Sequence, residues 1–311
     1  MRVSSNISFE IGIAALNRQQ AAQVKALQQI SSGQRALTPS ENPAAYVRAL
    51  EVSQADSANM QYAINRQNAA ASFGMLEATL GDVTNLLQNA QGLAVYAVNG
   101  TLTDSGRSAI ATELRGNLDE LLGLANRTDG NGQYLFSGFQ GATKPFADTG
   151  SGIQYHGDEG LRMVQASSSR QLAVNESGRE VFERIPADGG GYQSMFNTLS
   201  NLINLLETPI TDDASKAALA NGLSTAQNNL SNALDNVLRV HASVGTRMKE
   251  VDTLNDSGND LAIQYKQQLS DLREVDYAKV ISDLTQQQTY LEATQKAFLK
   301  VQGLSLFDYI R

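Results

Sequence analysis

Two histidines, His156 and His241, lie far apart in a chain of 311 residues that has no cysteine. A hydrolytic triad or a zinc site needs several such groups converging, and one histidine per distant segment supplies neither. Without cysteine there are no disulfides, thiolate metal ligands or thiol nucleophiles. Asp129-Gly-Asn131-Gly-Gln133 imitates the opening of a calcium loop. That loop needs glycine at its sixth place and an acidic residue at its twelfth, where this chain has Tyr134 and Gln140. The stretch therefore reads as a glycine-rich turn. Asp158-Glu159 and Asp212-Asp213 are carboxylate pairs, as glycosidases use, but adjacent residues in a turn point apart. Asp212 and Asp213, just before Ala214, suit a helix cap. No phosphate loop of the G-x-x-x-x-G-K-[ST] type occurs, and Gly150-Ser-Gly152 lacks the third glycine and following helix of a dinucleotide site. Asn99, Asn126 and Asn175 open glycosylation-acceptor triplets, a pattern common by chance in an Asn- and Ser-rich chain. The expectation is a protein without cofactor or metal, and not an enzyme.

The chemistry-poor inventory shifts attention to the elements. Hydrophobic residues make up 41% of the chain and aromatics 6%, with no Trp; Ala, Gln and Leu favour thin, closely packed helices. Ile13, Leu16, Gln20, Gln23, Leu27 and Ile30 step by three and four, a heptad seam diluted by glutamine. Gly33 and Thr38-Pro39-Ser40-Glu41-Asn42-Pro43 break this helix, and Ser40 or Asn42 can cap the next, with Pro43 in its first turn. Leu76, Leu80, Val83, Leu87, Ala90 and Ala94 continue the heptad spacing until Asn99-Gly100. A further helix opens at Asp104-Ser105, with Ile110, Leu114, Leu118, Leu121 and Ala125 on one face. From about 129 to 195 glycines punctuate short runs, Gln133–Ser137, Ile153–His156, Leu161–Gln165 and Gln171–Val174, which read as β-hairpins. Helices resume over about 193–206 and from Ala214 onward, with a break near Leu272–Asp276. Beyond it Tyr277, Val280, Leu284, Gln287, Leu291, Thr294, Phe298 and Val301 form a second diluted seam. Phe298, Leu299, Val301, Leu304, Leu306, Phe307, Tyr309 and Ile310 then crowd the end of the chain, where polar residues are usual. Gly303 is expected to stop or bend the helix there.

The fold class that follows is mainly α with a small β insert, a long antiparallel helical rod formed by both chain ends. Three domains are expected: 1–43 with 273–311, a terminal helical assembly domain; 44–128 with 193–272, a helical rod; and 129–192, a β domain. Weak seams at both ends need partners, since a helix buries a stripe only against another surface. The candidate contact residues are Ile13, Leu16, Leu27, Ile30, Leu284, Leu291, Phe298, Val301, Leu304, Leu306, Phe307 and Ile310. Net charge is −8, which opposes nucleic-acid binding. Residues 1–50 carry Arg2, Arg18, Lys25, Arg35 and Arg48 against Glu10 and Glu41, scattered charges that read as solvated helix faces. No cleaved secretory signal and no membrane span is expected.

Several of these stretches carry a resemblance. Gln29-Ile-Ser-Ser-Gly-Gln-Arg35 followed by Leu37-Thr-Pro-Ser-Glu-Asn-Pro43 resembles the N-terminal signature of the flagellin superfamily, and Leu37-Thr-Pro-Ser resembles its hook-associated protein 3 branch. Leu124-Ala-Asn-Arg-Thr-Asp-Gly-Asn-Gly-Gln-Tyr-Leu-Phe-Ser-Gly138 is similar to that branch's helix-to-β transition. The ending from Phe298 through Leu306-Phe-Asp-Tyr-Ile310 is similar to the branch's own. The resemblance implies a structural, extracellular flagellar protein, exported through the flagellum's type III pathway. It implies a layer between hook-associated protein 1 and flagellin, with further copies of the chain in the same layer. It also implies an export chaperone on the C-terminal segment, termini that are flexible in the free monomer, a rod in the middle shell and a solvent-facing β domain. The competing expectations are a short flagellin that forms the filament, a coiled-coil stalk, and an enzyme with its site in the β insert.

Overall fold

The computed structural model describes residues 2–99, 102–150 and 152–307, with side chains described throughout except at 2–6, 8 and 301–307. Among the described residues the helices are α1 (Arg2–Ser32), α2 (Pro43–Ala97), α3 (Asp104–Ala125), α4 (Met195–Glu207), α5 (Asp213–Arg273) and α6 (Tyr277–Phe307). Between α3 and α4 lie β1 (Phe146–Asp148), β2 (Ile153–Tyr155), β3 (Met163–Ser167), β4 (Arg170–Ala173), β5 (Ile185–Pro186) and β6 (Tyr192–Gln193), and one π-helical turn, Arg179–Glu183. The strands pair as three antiparallel hairpins, β1 with β2, β3 with β4 and β5 with β6. The chain is mainly α with small strand pairs.

Local chemistry sets the helix ends. Asn42 Oδ1 accepts from the Ala45 N–H at 3.1 Å, Asp212 Oδ1 from the Ser215 N–H at 2.8 Å and Asp276 Oδ1 from the Lys279 N–H at 3.1 Å. These are N-caps satisfying donors that the first turn leaves unpaired. Gly33, at φ +67°, closes α1 in the left-handed conformation that glycine adopts without penalty, and its N–H reaches the Gln29 carbonyl at 2.9 Å. At the other end of the chain, α6 runs through Gly303 to Phe307. The stop expected there is absent, because one glycine costs a helix only about 1 kcal/mol relative to alanine.

Packing divides the chain into two units, residues 1–58 with 260–311 and residues 59–259. The second unit holds one continuous core. From α2 it takes Leu76, Leu80, Val83, Leu87, Ala90 and Ala94, all buried as their spacing predicts. From α3 it takes Ile110, Leu114, Leu121 and Ala125, with Leu118 packed at its margin. Leu199, Leu202 and Leu206 of α4 and Leu230, Ala233, Val237 and Val244 of α5 complete the helical part. The strand segment shares this core. Phe136, Phe146, Phe182 and Phe196 are fully buried, with ring centroids 5.1 Å apart for Phe136–Phe182 and for Phe146–Phe196, and 5.4 Å for Phe146–Phe182. Each such edge or tilted pair adds about 0.5–1.5 kcal/mol beyond area burial.

Gln133–Ser137 is not a strand. It is a set of turns with isolated bridges, Thr128 to Tyr134 and Ser137 to Ser177, that carry Leu135 and Phe136 into the core. Side chains from the helices fasten the β3–β4 hairpin. Arg66 donates to the Ala166 carbonyl at 2.8 Å and to Asn255 Oδ1 at 2.6 Å, and Asn65 donates to the Gln165 carbonyl at 2.8 Å. Arg247 reaches the Ala173 carbonyl at 2.7 Å and pairs with Glu176, while Arg170 pairs with Glu250.

Because the aromatic cluster belongs to the core that α2 to α5 also share, Phe146→Ala should loosen the whole second unit. The expected loss is about 3–5 kcal/mol, read as a shift of the urea midpoint in a single transition. A separate early transition of the strand segment, with the helices unaffected, would contradict the shared core.

Candidate functional site

Most of the groups that could have done chemistry are engaged in structure. Asp129 Oδ1 accepts from the N–H groups of Asn131 at 2.8 Å and Gln133 at 2.9 Å, which folds the turn. Asp158 Oδ1 accepts from the N–H groups of Phe139 at 2.8 Å and Gly160 at 2.7 Å, and Glu159 pairs with Arg179 at 2.8 Å. Asn175, 1% exposed, accepts from the Arg162 N–H at 2.6 Å and donates to the Gly160 carbonyl at 3.0 Å. Asn126 donates to the carbonyls of Leu122 and Phe146 and accepts from the Phe146 N–H. Asn126 and Asn175, read from the sequence as glycosylation acceptors, are thus committed to internal bonds. His156 is exposed, and His241 Nε2 stands 4.0 Å from Glu77. Burial lifts the Tyr155 hydroxyl and the Glu183 carboxyl above their ordinary pKa values, against the pull of Arg179 on both.

Large apolar side chains stand exposed on both units, Val95, Tyr96, Phe139 and Tyr192 among them in the second, but the first unit has few buried ones beside them. There α1 and α6 form an antiparallel pair. Near one end Gly12 meets Phe298, whose ring carbons would stand 2.8 Å from a Cβ on Gly12, and Phe298 lies 5.5 Å from the Phe9 ring. Near the other end Gly33 meets the Tyr277 hydroxyl. Both anchors keep one register, since each residue up α1 is one residue down α6. It places Leu16 opposite Thr294, Gln19 opposite Leu291, Gln23 opposite Gln287, Ala26 opposite Leu284 and Ile30 opposite Val280. All ten are buried or half-buried.

On α6 this is the row that the sequence predicts, and Leu284, Leu291 and Phe298 lie in it. On α1 the seam contains Leu16, Gln23 and Ile30 as expected, but Gly12, Gln19 and Ala26 take the places expected for Ile13, Gln20 and Leu27. Those three face outward and are exposed. The reason is size. Phe298, Leu291 and Leu284 fill the space between the helices, and only a small or flexible residue fits opposite each. The row 12, 16, 19, 23, 26, 30 has the same heptad spacing as the predicted row, so the signal was present but less hydrophobic. Of the remaining predicted contacts, Val301, Leu304, Leu306 and Phe307 lie on the α6 backbone with side chains outside the described residues. Ile310 lies wholly outside them.

A short bridge closes the base of the pair. The Arg35 N–H donates to the Arg273 carbonyl at 2.8 Å and the Val275 N–H to the Gly33 carbonyl at 3.0 Å. The loop 34–42 is braced by Glu41, which pairs with Lys25 at 3.0 Å and accepts from the Leu37 N–H at 3.1 Å. The Lys25 bond and then the Leu37 N–H hold the Glu41 carboxyl below the usual carboxylate range. Leu37, Pro39, Ala45, Tyr46, Ala49 and Leu272 line a groove of about 180 Å³ beside this loop.

Among the described residues of this unit only Ala26, Ala49, Val52 and Val275 are buried apolar side chains. Ile13, Val24, Leu27, Tyr46, Val47, Leu50, Ile281 and Leu299 are exposed. Few buried side chains stand behind these exposed ones in the first unit. No described helix is long and apolar enough to cross a membrane.

Residues 3–141 match the bacterial flagellin N-terminal helical region. The flagellar hook-associated protein 3 of Escherichia coli K12 is 38% identical, across 99% of both chains, and that of Salmonella typhimurium is 37% identical across the full length of both. A flagellin of Bacillus subtilis is more distant, 23% identical over 95% of this chain and 94% of its own. The crystal structure of flagellar hook-associated protein 3 from Legionella pneumophila shares the fold with a TM-score of 0.68 at 21% identity, covering 71% of this chain and 98% of that one. End-to-end identity with two hook-associated proteins, on a chain whose two ends form one helical pair, places this chain in the flagellar hook-associated protein 3 family.

Proposed function

We propose that the chain is a structural, non-catalytic part of the bacterial flagellum, forming the layer that joins the hook, through hook-associated protein 1, to the flagellin filament. The observation that carries this reading is the uncovered apolar surface of the α1–α6 unit, in a chain that matches hook-associated relatives from end to end. A joint between two polymers needs surfaces that stay unsatisfied in one copy and become buried when copies assemble. In this reading residues 1–43 with 273–311 form the innermost, assembly-dependent layer. Residues 44–128 with 193–272 form a helical rod, and 129–192 face solvent. The protein leaves the cell through the flagellar export channel, and an export chaperone holds the C-terminal segment on the way. The filament-forming alternative is weaker, since the flagellin match has a lower identity than the hook-associated ones.

Removing the chain should leave hooks complete and release flagellin monomers into the medium, with motility lost. Immunogold labelling of the restored strain should mark one band at the hook–filament boundary. Label along the whole filament would instead establish the flagellin alternative.

The seam makes a second prediction. Gly12→Leu drives a side chain into the Phe298 ring and should prevent incorporation into flagella. The stability of the second unit, read from its urea transition, should stay within about 0.5 kcal/mol of the parent, as expected for a distant site. Adding Phe298→Ala should restore incorporation in part. A motile Gly12→Leu strain with normal incorporation would refute the seam.

A further inference from the structure

The second unit carries an open cleft of about 430 Å³, within the size range of small-ligand sites. Three elements build it. The β5–β6 hairpin supplies Pro186 and Tyr192, which stand opposite each other in its register. The π-helical turn and the residue after it supply Glu180 and Arg184. Short π-helical segments recur at functional sites. Helix α5 supplies Asn232, Asp235, Asn236 and Arg239, whose spacing puts them on one helical face.

Asparagines of α5 fix the walls. Asn236, 6% exposed, donates to the carbonyls of Glu180 at 3.0 Å and Val181 at 2.9 Å, and accepts from the Arg239 guanidinium at 2.6 Å. Asn232 donates to the Pro186 carbonyl at 3.0 Å, and Asn229 accepts from the Asp188 N–H at 2.9 Å. The hairpin, the π-helical turn and Arg239 are thus held against α5, and a site already held in shape loses less freedom on binding. On this frame Tyr192 is 71% exposed. So open a ring adds little to the core.

The charges of the cleft balance. Arg184 pairs with Glu180, and Arg239 lies one turn from Asp235 on α5. Two cations beside two carboxylates leave no net attraction for a phosphate, a sulfate or a nucleic acid. The cleft offers instead an aromatic face with a proline beside it, rimmed by donors and acceptors. An uncharged sugar ring has the matching surfaces, an apolar C–H face and a rim of hydroxyls, each able to donate and accept.

We propose that this cleft binds an uncharged hexose unit of a glycan. The C–H face of the ring stacks on Tyr192 beside Pro186. Its hydroxyls donate to the Asp235 carboxylate and accept from the Arg239 and Arg184 guanidinium groups. The proposal stands apart from the junction reading, since every residue of the cleft lies in the second unit.

Saturation-transfer NMR on the full chain tests it. The probes are the methyl glycosides of glucose, galactose, mannose and N-acetylglucosamine, with N-acetylneuraminic acid as the charged comparison. At least one neutral glycoside should receive saturation, with a dissociation constant on the order of 1 mM for a contact limited to one ring. Tyr192→Ala should weaken that binding about tenfold, and Asp235→Ala should weaken it several-fold. Tyr96→Ala removes another exposed tyrosine of the same unit, in α2, and should bind as the parent does. Asp235→Ala changes only an exposed position of α5, so it decides the matter where a change at Tyr192 disturbs the hairpin. Saturation of no neutral glycoside would overturn the proposal. So would unaltered binding in the Tyr192→Ala and Asp235→Ala variants, or a preference for N-acetylneuraminic acid over every neutral glycoside.

Discussion

The antiparallel seam between α1 and α6 is the contact on which the first unit depends. It joins the two ends of the chain in one register, from Gly12 against Phe298 to Gly33 against Tyr277. An apolar stripe is stabilised only when another surface covers it, and this seam covers one stripe on each helix. Glycine, alanine and glutamine on α1 let the larger side chains of α6 approach. The same arrangement turns Ile13 and Leu27 away from the seam and leaves them without cover within their own unit. The close fit inside the pair and the unsatisfied surface outside it therefore have one cause.

The second unit answers the same problem differently. Its heptad rows on α2 and α5, the faces of α3 and α4 and four phenylalanines of the strand segment and α4 are closed into one core. Polar anchors hold the β3–β4 hairpin on the helices, Arg66 and Arg247 through backbone carbonyls and Arg170 through Glu250. Buried apolar area is the main term opposing chain entropy, so stability within the protein should be uneven, with local opening cheapest where few side chains are buried. A member of the hook-associated protein 3 family built this way carries one unit with a continuous buried core and one with few buried apolar side chains.

Much of this was readable in the residues, and the failures have physical reasons. The caps at Asn42 and Asp212, the break before Tyr277 and the rows on α2, α3 and α6 are local or strongly periodic signals, and they placed those elements. Leu16, Gln23 and Ile30 of the α1 seam were read in place, but the alternate positions were read one residue away, since hydrophobicity favours Ile13 and Leu27 over Gly12 and Ala26. The choice is made by the bulk of Phe298 and Leu284 on a helix more than two hundred residues away. Gln133–Ser137 was read as a strand because Tyr134-Leu-Phe136 looks like a short apolar run. Its apolar side chains are instead carried by turns into a cluster completed by Phe146, Phe182 and Phe196. The burial of Arg66 had no sequence signal, because its partners are a backbone carbonyl and an asparagine brought to it by folding. The excess of apolar residues on thin terminal helices was legible, but not which of them face outward.

The central claim is that α1 and α6 gain their missing cover from other molecules. Hydrogen exchange of their amides, compared between the free protein and isolated flagella, tests it most directly. In the free protein the amides of residues 10–30 and 280–298 should exchange far faster than those of residues 76–90 in α2, and in flagella the two sets should be protected alike. Equal protection of both sets in the free protein would contradict the account.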